Sequence, residues 1–230
     1  MNNILSSSTF FGLFLTLATY VLAMGIKKKF KSGLVNPLLI AIVICIAVLL
    51  LFRIDYGTYN QGARYISVLL TPATVCLAVP LYMQLEKLKK NFPAIMAGIM
   101  SGVLTSLGSI FLMSKVFGFS REEFITFLPK SITTAIGMSV SEEMGGYVAI
   151  TVTAIIITGV FGNIICEAAL KLFGIRNKIA KGIAIGTASH AIGTSKAMEI
   201  GEVEGAMSSL SIVVSGILTV ILASLFAGLY

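Results

Sequence analysis

Apolar runs long enough to cross a bilayer dominate this 230-residue chain. They cover residues 9–24, 37–52, 93–117, 147–170 and 206–229. A hydrocarbon core of about 30 Å takes roughly 17–25 apolar residues of helix to cross. In that solvent every backbone N–H and C=O must be bonded internally, so such runs fold as helices. Composition agrees: 57% of residues are hydrophobic, 12% are charged, and the mean hydropathy is +0.97. A soluble domain carries about twice that charged fraction. A barrel would show short alternating segments instead. The sequence therefore predicts an all-α polytopic membrane protein.

The run 9–24 has no basic stretch before it and no small-residue cleavage site after it, so it reads as the first span rather than a secretory signal. The net charge of +7 would suggest nucleic acid in a soluble protein. Here it lies in short loops and reports topology, because Lys- and Arg-rich loops stay on the cytoplasmic side. Lys27, Lys28, Lys29 and Lys31 put the first loop inside and the N-terminus outside. Lys87, Lys89 and Lys90, and later Lys171, Arg176, Lys178 and Lys181, mark further inner ends. Cys45, Cys76 and Cys166 all lie in apolar runs without metal-ligand spacing, and read as small buried residues. No metal site or cofactor motif is recognisable, and nothing suggests an enzyme. Ser189–His190 is a sequence-adjacent pair without an orienting acid, and there is no phosphate loop, CxxC or HExxH.

Three segments are too polar or too interrupted for a plain span. Residues 63–85 contain Pro72 and Pro80, and each proline removes a backbone donor and breaks a helix. Residues 119–146 contain Arg121, Glu122, Glu123, Pro129, Lys130, Glu142 and Glu143 around the core SITTAIGMS. Residues 179–204 contain IGTASHAIGTSKAMEIGEVE, which runs on into Gly205. On the lysine-based topology the second segment begins and ends outside, and the third begins and ends inside. Both then read as re-entrant segments that approach mid-bilayer from opposite faces. A related pentapeptide recurs in all three: AVPLY from Ala78, AIGMS from Ala135 and AIGTS from Ala191, each followed by a whole span. Broken helix then whole helix, in units of alternating direction, is the pattern of inverted-repeat secondary transporters. The expected architecture has residues 1–62 as N-terminal helices that form a scaffold and a dimer contact. Residues 63–230 form a transport core of three such units, of elevator-like design.

Unwinding at membrane depth frees N–H groups at a half-helix start, where the helix dipole also favours an anion. The candidate substrate-binding residues are Thr133, Thr134 and Ser139 in one segment, and Ser189, His190, Gly193, Thr194 and Ser195 in the other. His190, the single histidine, suits proton coupling. Glu142 and Glu167 are the candidate carboxylates for a coupling ion. Lys196 is placed to meet a substrate carboxylate or a glutamate. Asn163 and Glu167, four apart, share one helix face, with Lys171 within reach of Glu167. Tyr82 and Gln84 follow the first proline-broken unit and are placed at the same cavity.

Several stretches together resemble one family: Asn36-Pro37-Leu38, the run from Pro72 to Tyr82 (PATVCLAVPLY), the run from Leu128 to Ala135 (LPKSITTA), Ala180-Lys181-Gly182, and the run from Ser189 to Thr194 (SHAIGT). They are similar to the LrgB/CidB family of bacterial inner-membrane proteins, the CidB branch most of all, along essentially the whole chain. The plastidic glycolate/glycerate transporter of plants has a C-terminal half similar to this family. The resemblance implies a multi-pass protein of the bacterial cytoplasmic membrane and two competing functions. One is transport of pyruvate, lactate, glycolate or similar short carboxylates with a small LrgA/CidA-like membrane partner. The other is holin- or antiholin-like regulation of murein hydrolase activity and cell lysis. The second unit, TTAIGMSVSEE, departs from the family pattern at Met138 and Glu142, where substrate choice stays open.

Overall fold

The structure, a computed structural model, describes residues 10–30, 36–69, 72, 75–76 and 78–230, and among these it contains helices and no strand. The chain forms two compact units, Met1–Cys76 and Leu77–Tyr230. Four helices among the described residues are long and apolar enough to cross a membrane: Phe11–Lys29, Phe92–Phe117, Val148–Leu172 and Glu202–Leu229.

The first unit holds α1 (Phe11–Phe30), α2 (Pro37–Leu51) and α3 (Tyr56–Ser67). Asn36 caps α2 by accepting the Leu38 and Leu39 amides at 2.8 and 3.2 Å, and Pro37 has no amide to leave orphaned. α3 is polar and was not anticipated at 56–62. Local capping forms it: Asp55 accepts the Gly57 amide at 2.7 Å. Gly12 of α1 lies against the Tyr59 backbone, and Thr16 Oγ1 bonds Tyr59 Oη at 2.8 Å.

The second unit begins with α4 (Ala78–Met83) and α5 (Leu85–Lys90), interrupted at Gln84. The stretch expected to break around Pro72 lies largely outside the described residues. Three long rods follow: α6 (Phe92–Phe117), α9 (Val148–Leu172) and α11 (Glu202–Leu229). At 1.5 Å per residue each is about 40 Å long. Between them sit α7 (Arg121–Phe127), α8 (Thr134–Met144) and α10 (Lys178–Ile200).

α7 and α8 form a hairpin. Ser120 and Glu123 close a capping box at its entry. Pro129 then stops the helix, and residues 128–133 turn through Lys130 N–H to Phe127 O and Ile132 N–H to Pro129 O. Thr133, in extended conformation, starts the return. The two arms face each other: Pro129 O is near Gly137, and Gly146 sits against Ile125 and the Thr126 amide.

α10 is also a hairpin. His190 has φ 42° and ψ −138°, which ends one helical arm and starts another. Contacts with α11 show the reversal. Gly182 meets Glu204 and Met207, and Gly186 meets Ser208 and Ser211, so residues 178–189 run parallel to α11. Thr194 then bonds Ser208 and Met198 covers Gly205, so residues 191–200 run antiparallel to it.

The two hairpins enter from opposite ends of the rods. Along α9, Tyr147 and Thr151 meet the base of the first hairpin, through Thr126. Near its middle, Ile155 meets both tips: its Cδ1 lies at Gly137 and its carbonyl at His190 Nε2. Farther on, Gly162 meets Ser189, and Cys166 packs with Ile185 and Ala197 of the second hairpin. α6 gives the same order, with Gly98 on Ile183, Gly102 on Thr187, Ser106 on Ser131 and Phe111 on Phe124. The re-entrant segments expected at 119–146 and 179–204 are therefore both present as opposed hairpins. The pentapeptides themselves are helical, however. Those at Ala135 and Ala191 each open a return arm, with non-helical residues just before it, while AVPLY lies in α4.

The apolar core lines one stripe of α6, where Ile95, Ile99, Val103 and Leu107 recur every four residues. They pack with Phe124, Leu128, Met207, Ala223 and Ala227. Small residues set the helix spacing. A Cβ on Gly182 or Gly186 would collide with the α11 backbone.

Two predictions follow from this geometry. His190 occupies a backbone region that strains any residue with a Cβ by about 1–3 kcal/mol. His190→Gly should therefore unfold at a higher temperature than His190→Ala, although both lack the ring; equal midpoints in detergent would remove the positive φ. In a chain with Cys45, Cys76 and Cys166 replaced, Lys181→Cys and Glu199→Cys should react with an impermeant maleimide from one side of the membrane. Glu123→Cys and Glu143→Cys should react from the other side.

Candidate functional site

The two tips converge near the middle of all three rods. Lys130, Ser131, Thr133 and Thr134 come from the first hairpin, and Ser189, His190, Gly193 and Thr194 from the second. Ser189, His190 and Thr194 are almost fully buried.

His190 Nε2 lies 3.0 Å from the Ile155 carbonyl. A carbonyl only accepts, so Nε2 carries the proton and donates. Nδ1 makes no hydrogen bond among the described residues. The ring fits because Gly159 has no side chain; a Cβ there would touch His190 Cε1 and Nε2. Gly162 makes the same room for Ser189. Side chains add bonds to carbonyls at the start of the return arm. Thr194 Oγ1 donates to His190 O at 2.9 Å and is 2.7 Å from Ser208 Oγ. Asn163 Nδ2 and Ser195 Oγ both donate to Ile192 O, at 2.8 and 2.7 Å.

At the other tip, Lys130 Nζ donates to Ser131 Oγ at 3.0 Å, and Ser106 Oγ of α6 lies 3.0 Å from the same hydroxyl. Thr133 is the N-cap of α8, but its side chain caps no amide, so the first amides of that arm keep free donor capacity. One turn away, Gly102, Thr105, Thr187 and Ala188 line the inner end of a groove of about 480 Å³. It runs between α6 and the first arm of the second hairpin, back to Ala94 and Ala180. A backbone-rich, hydroxyl-lined crossing with one ammonium can hold a small anion.

The other expected site residues lie elsewhere. Ser139 is exposed on α8 and donates to Ala135 O at 3.3 Å. Ser195 is exposed one turn past the second tip. Glu142 is exposed at the base of the first hairpin. Glu167 does share a face with Asn163, and that face meets the return arm of α10, where Glu167 pairs with Lys196 at 2.8 Å. Lys196 also pairs with Glu199 at 3.2 Å. These three, with Lys171 and Lys181, line a cavity of about 390 Å³ at the base of the second hairpin. Tyr82 is exposed and Gln84 partly exposed. Sequence reasoning missed Gly102 and Ser106 on α6, Gly159 and Gly162 on α9, and Ser208 on α11. Their signal was available: small residues three or four apart within an apolar span. It also left Lys130 and Ser131 without a role.

Comparison with known proteins covers nearly the whole chain. The LrgB-like family profile matches residues 16–229. A protein of Staphylococcus aureus named holin-like protein CidB is 40% identical over 210 residues, 91% of this chain and 92% of its own. Its Staphylococcus epidermidis counterpart is 38% identical over the same shares. A Bacillus subtilis protein named antiholin-like protein LrgB is 38% identical over 223 residues, 96% of each chain. No solved structure matches. With its four membrane-length apolar helices and these relatives, the chain is a multi-pass bacterial membrane protein and belongs to the LrgB-like family.

Proposed function

We propose that this protein is a secondary carrier of small monocarboxylates of the pyruvate, lactate and glycolate kind, coupled to protons through His190. The observation that carries the reading is the meeting of two re-entrant hairpin tips at mid-length of three long helices. Non-helical backbone at that depth is tolerated where it lines a wet cavity or is buried in protein, and such breaks mark binding sites in transporters. Here α9 and α11 run in opposite directions, and each follows a hairpin that enters from its own end. We read this as an inverted repeat. In this proposal residues 63–230 carry the site in an elevator-type excursion against residues 1–62, which also make a homodimer contact. The protein would sit in the cytoplasmic membrane with its N-terminus outside and act with a small LrgA/CidA-like membrane protein. His190, donating through Nε2 and free at Nδ1, can take a proton without breaking the Ile155 bond.

A second reading is favoured by the relatives' names: a holin- or antiholin-like regulator of murein hydrolase activity and lysis. A pore-former of that kind needs no converging hairpins, and its flux does not saturate. Altered carboxylate flux would also disturb lysis indirectly, which joins the two readings.

Proteoliposomes separate them. With and without the small partner, labelled pyruvate, lactate or glycolate should enter saturably and without dye leakage. Leakage with no saturation would favour the pore. His190→Ala and Ser189→Ala should cut uptake at least tenfold while membrane insertion persists. Gly193→Leu should lose uptake entirely, because a side chain there meets Ser189 and Ile185 of the opposite arm. Unchanged uptake by His190→Ala across pH would end the proton-coupling proposal.

A further inference from the structure

Two lysines of the re-entrant hairpins, Lys130 and Lys196, are treated very differently. Lys196, near the base of the second, is neutralised by Glu167 and Glu199. Lys130, at the tip of the first, is half-buried, and the one bond it makes among the described residues is to the neutral Ser131 hydroxyl. The acids of this unit lie away from the crossing. Glu86 lies on α5, ahead of α6; Glu122, Glu123, Glu142 and Glu143 belong to the base of the first hairpin; Glu167, Glu199, Glu202 and Glu204 belong to the base of the second. The other groups at the crossing add no negative charge. α8 begins four residues on, and its N-terminal dipole has the same sign as the ammonium. His190 faces the crossing from α10 and commits Nε2–H to Ile155 O. α6 contributes Ser106, and α11 contributes Ser208. An ammonium at such depth with only a hydroxyl for company is costly, so the missing anion is the informative feature.

We propose that Lys130 is the counter-ion of the bound substrate and restricts the site to singly charged anions. The proposal rests on the carrier reading above and names its substrate chemistry. One ammonium balances one carboxylate. While His190 is neutral, a dicarboxylate would bring a second charge into surroundings that offer it no second cation. Ser131 and Ser106, whose hydroxyls lie side by side, suit the neighbouring oxygen of a 2-oxo or 2-hydroxy acid.

Equilibrium binding to the purified full-length protein in detergent tests this, with pyruvate and lactate against succinate and malonate, and with Lys130→Met and Lys130→Arg. Wild type should be stabilised by the monocarboxylates and not by the dicarboxylates. Lys130→Met should bind pyruvate about ten- to a hundredfold more weakly, the loss expected for a charge-assisted contact. Its ligand-free unfolding temperature should equal or exceed that of wild type, because an unbalanced buried charge has gone. Lys130→Arg should keep most of the affinity. The proposal is overturned if Lys130→Met binds pyruvate within about threefold of wild type, if succinate binds as well as pyruvate, or if Lys130→Met unfolds early and so gives the lysine a structural role. Wild type binding no carboxylate at all sinks the carrier reading, and this proposal with it. Wild-type binding that Lys130→Met leaves intact sinks this proposal alone.

Discussion

The core of this protein depends on closing two helical reversals where water is scarce. A reversal strips the backbone of bonds that a continuous helix would make, and hydrocarbon offers no replacement. At the second tip, side chains tie down the return arm: Thr194 donates to His190 O, and Asn163 and Ser195 donate to Ile192 O. At the base of the first hairpin, Thr126 accepts the Tyr147 amide at 2.8 Å. Thr151 Oγ1 lies 2.8 Å from the Thr126 carbonyl and 2.7 Å from Ser141 Oγ. The polar residues scattered through otherwise oily helices sit opposite places where the backbone leaves the helix.

Close approach is the second requirement, and glycine and serine meet it. Gly159 and Gly162 make the notches that receive His190 and Ser189, while Gly182 and Gly186 bring the second hairpin onto the α11 backbone. On the α11 side, Ser209 and Ser211 bond carbonyls one turn back, at 2.9 and 2.8 Å, so small polar residues pack without stranded hydroxyls. Bulky residues close the end at the first hairpin's base instead: Phe124 stacks on Tyr230 at 4.4 Å, with Phe111 edge-on to both.

Sequence alone conveyed the architecture well and the local breaks unevenly. Run length and lysine bias were enough for the long helices and for the two re-entrant segments. The first break was legible because Pro129 cannot continue a helix. The second was placed by topology and polarity alone, since nothing around His190 forbids helix locally. There the reversal is a tertiary effect, made by notches in α9 and an amide from Asn163 nearly thirty residues away. The recurring pentapeptides pointed to the right places for a different reason than expected. Those at Ala135 and Ala191 open helical return arms, and Gly137 and Gly193 let each arm lie against its own partner. α3 escaped because capping, not hydropathy, makes it. Lys130 passed without a role because its importance lies in which residues fail to surround it, and that is visible only in three dimensions.

The joint between the second hairpin and α11 has a mechanical consequence. Gly201 alone separates Ile200 from Glu202, in an extended conformation with φ 172° and ψ 161°. The return arm is then held along α11 by Met198 on Gly205 and by Thr194 on Ser208. With so short a tether the arm has no slack to swing as a free flap. It travels with α11 as one strut, and the far end of that strut, at Tyr230, is docked on the opposite hairpin. A push delivered at either end of the rod is thereby felt at the other.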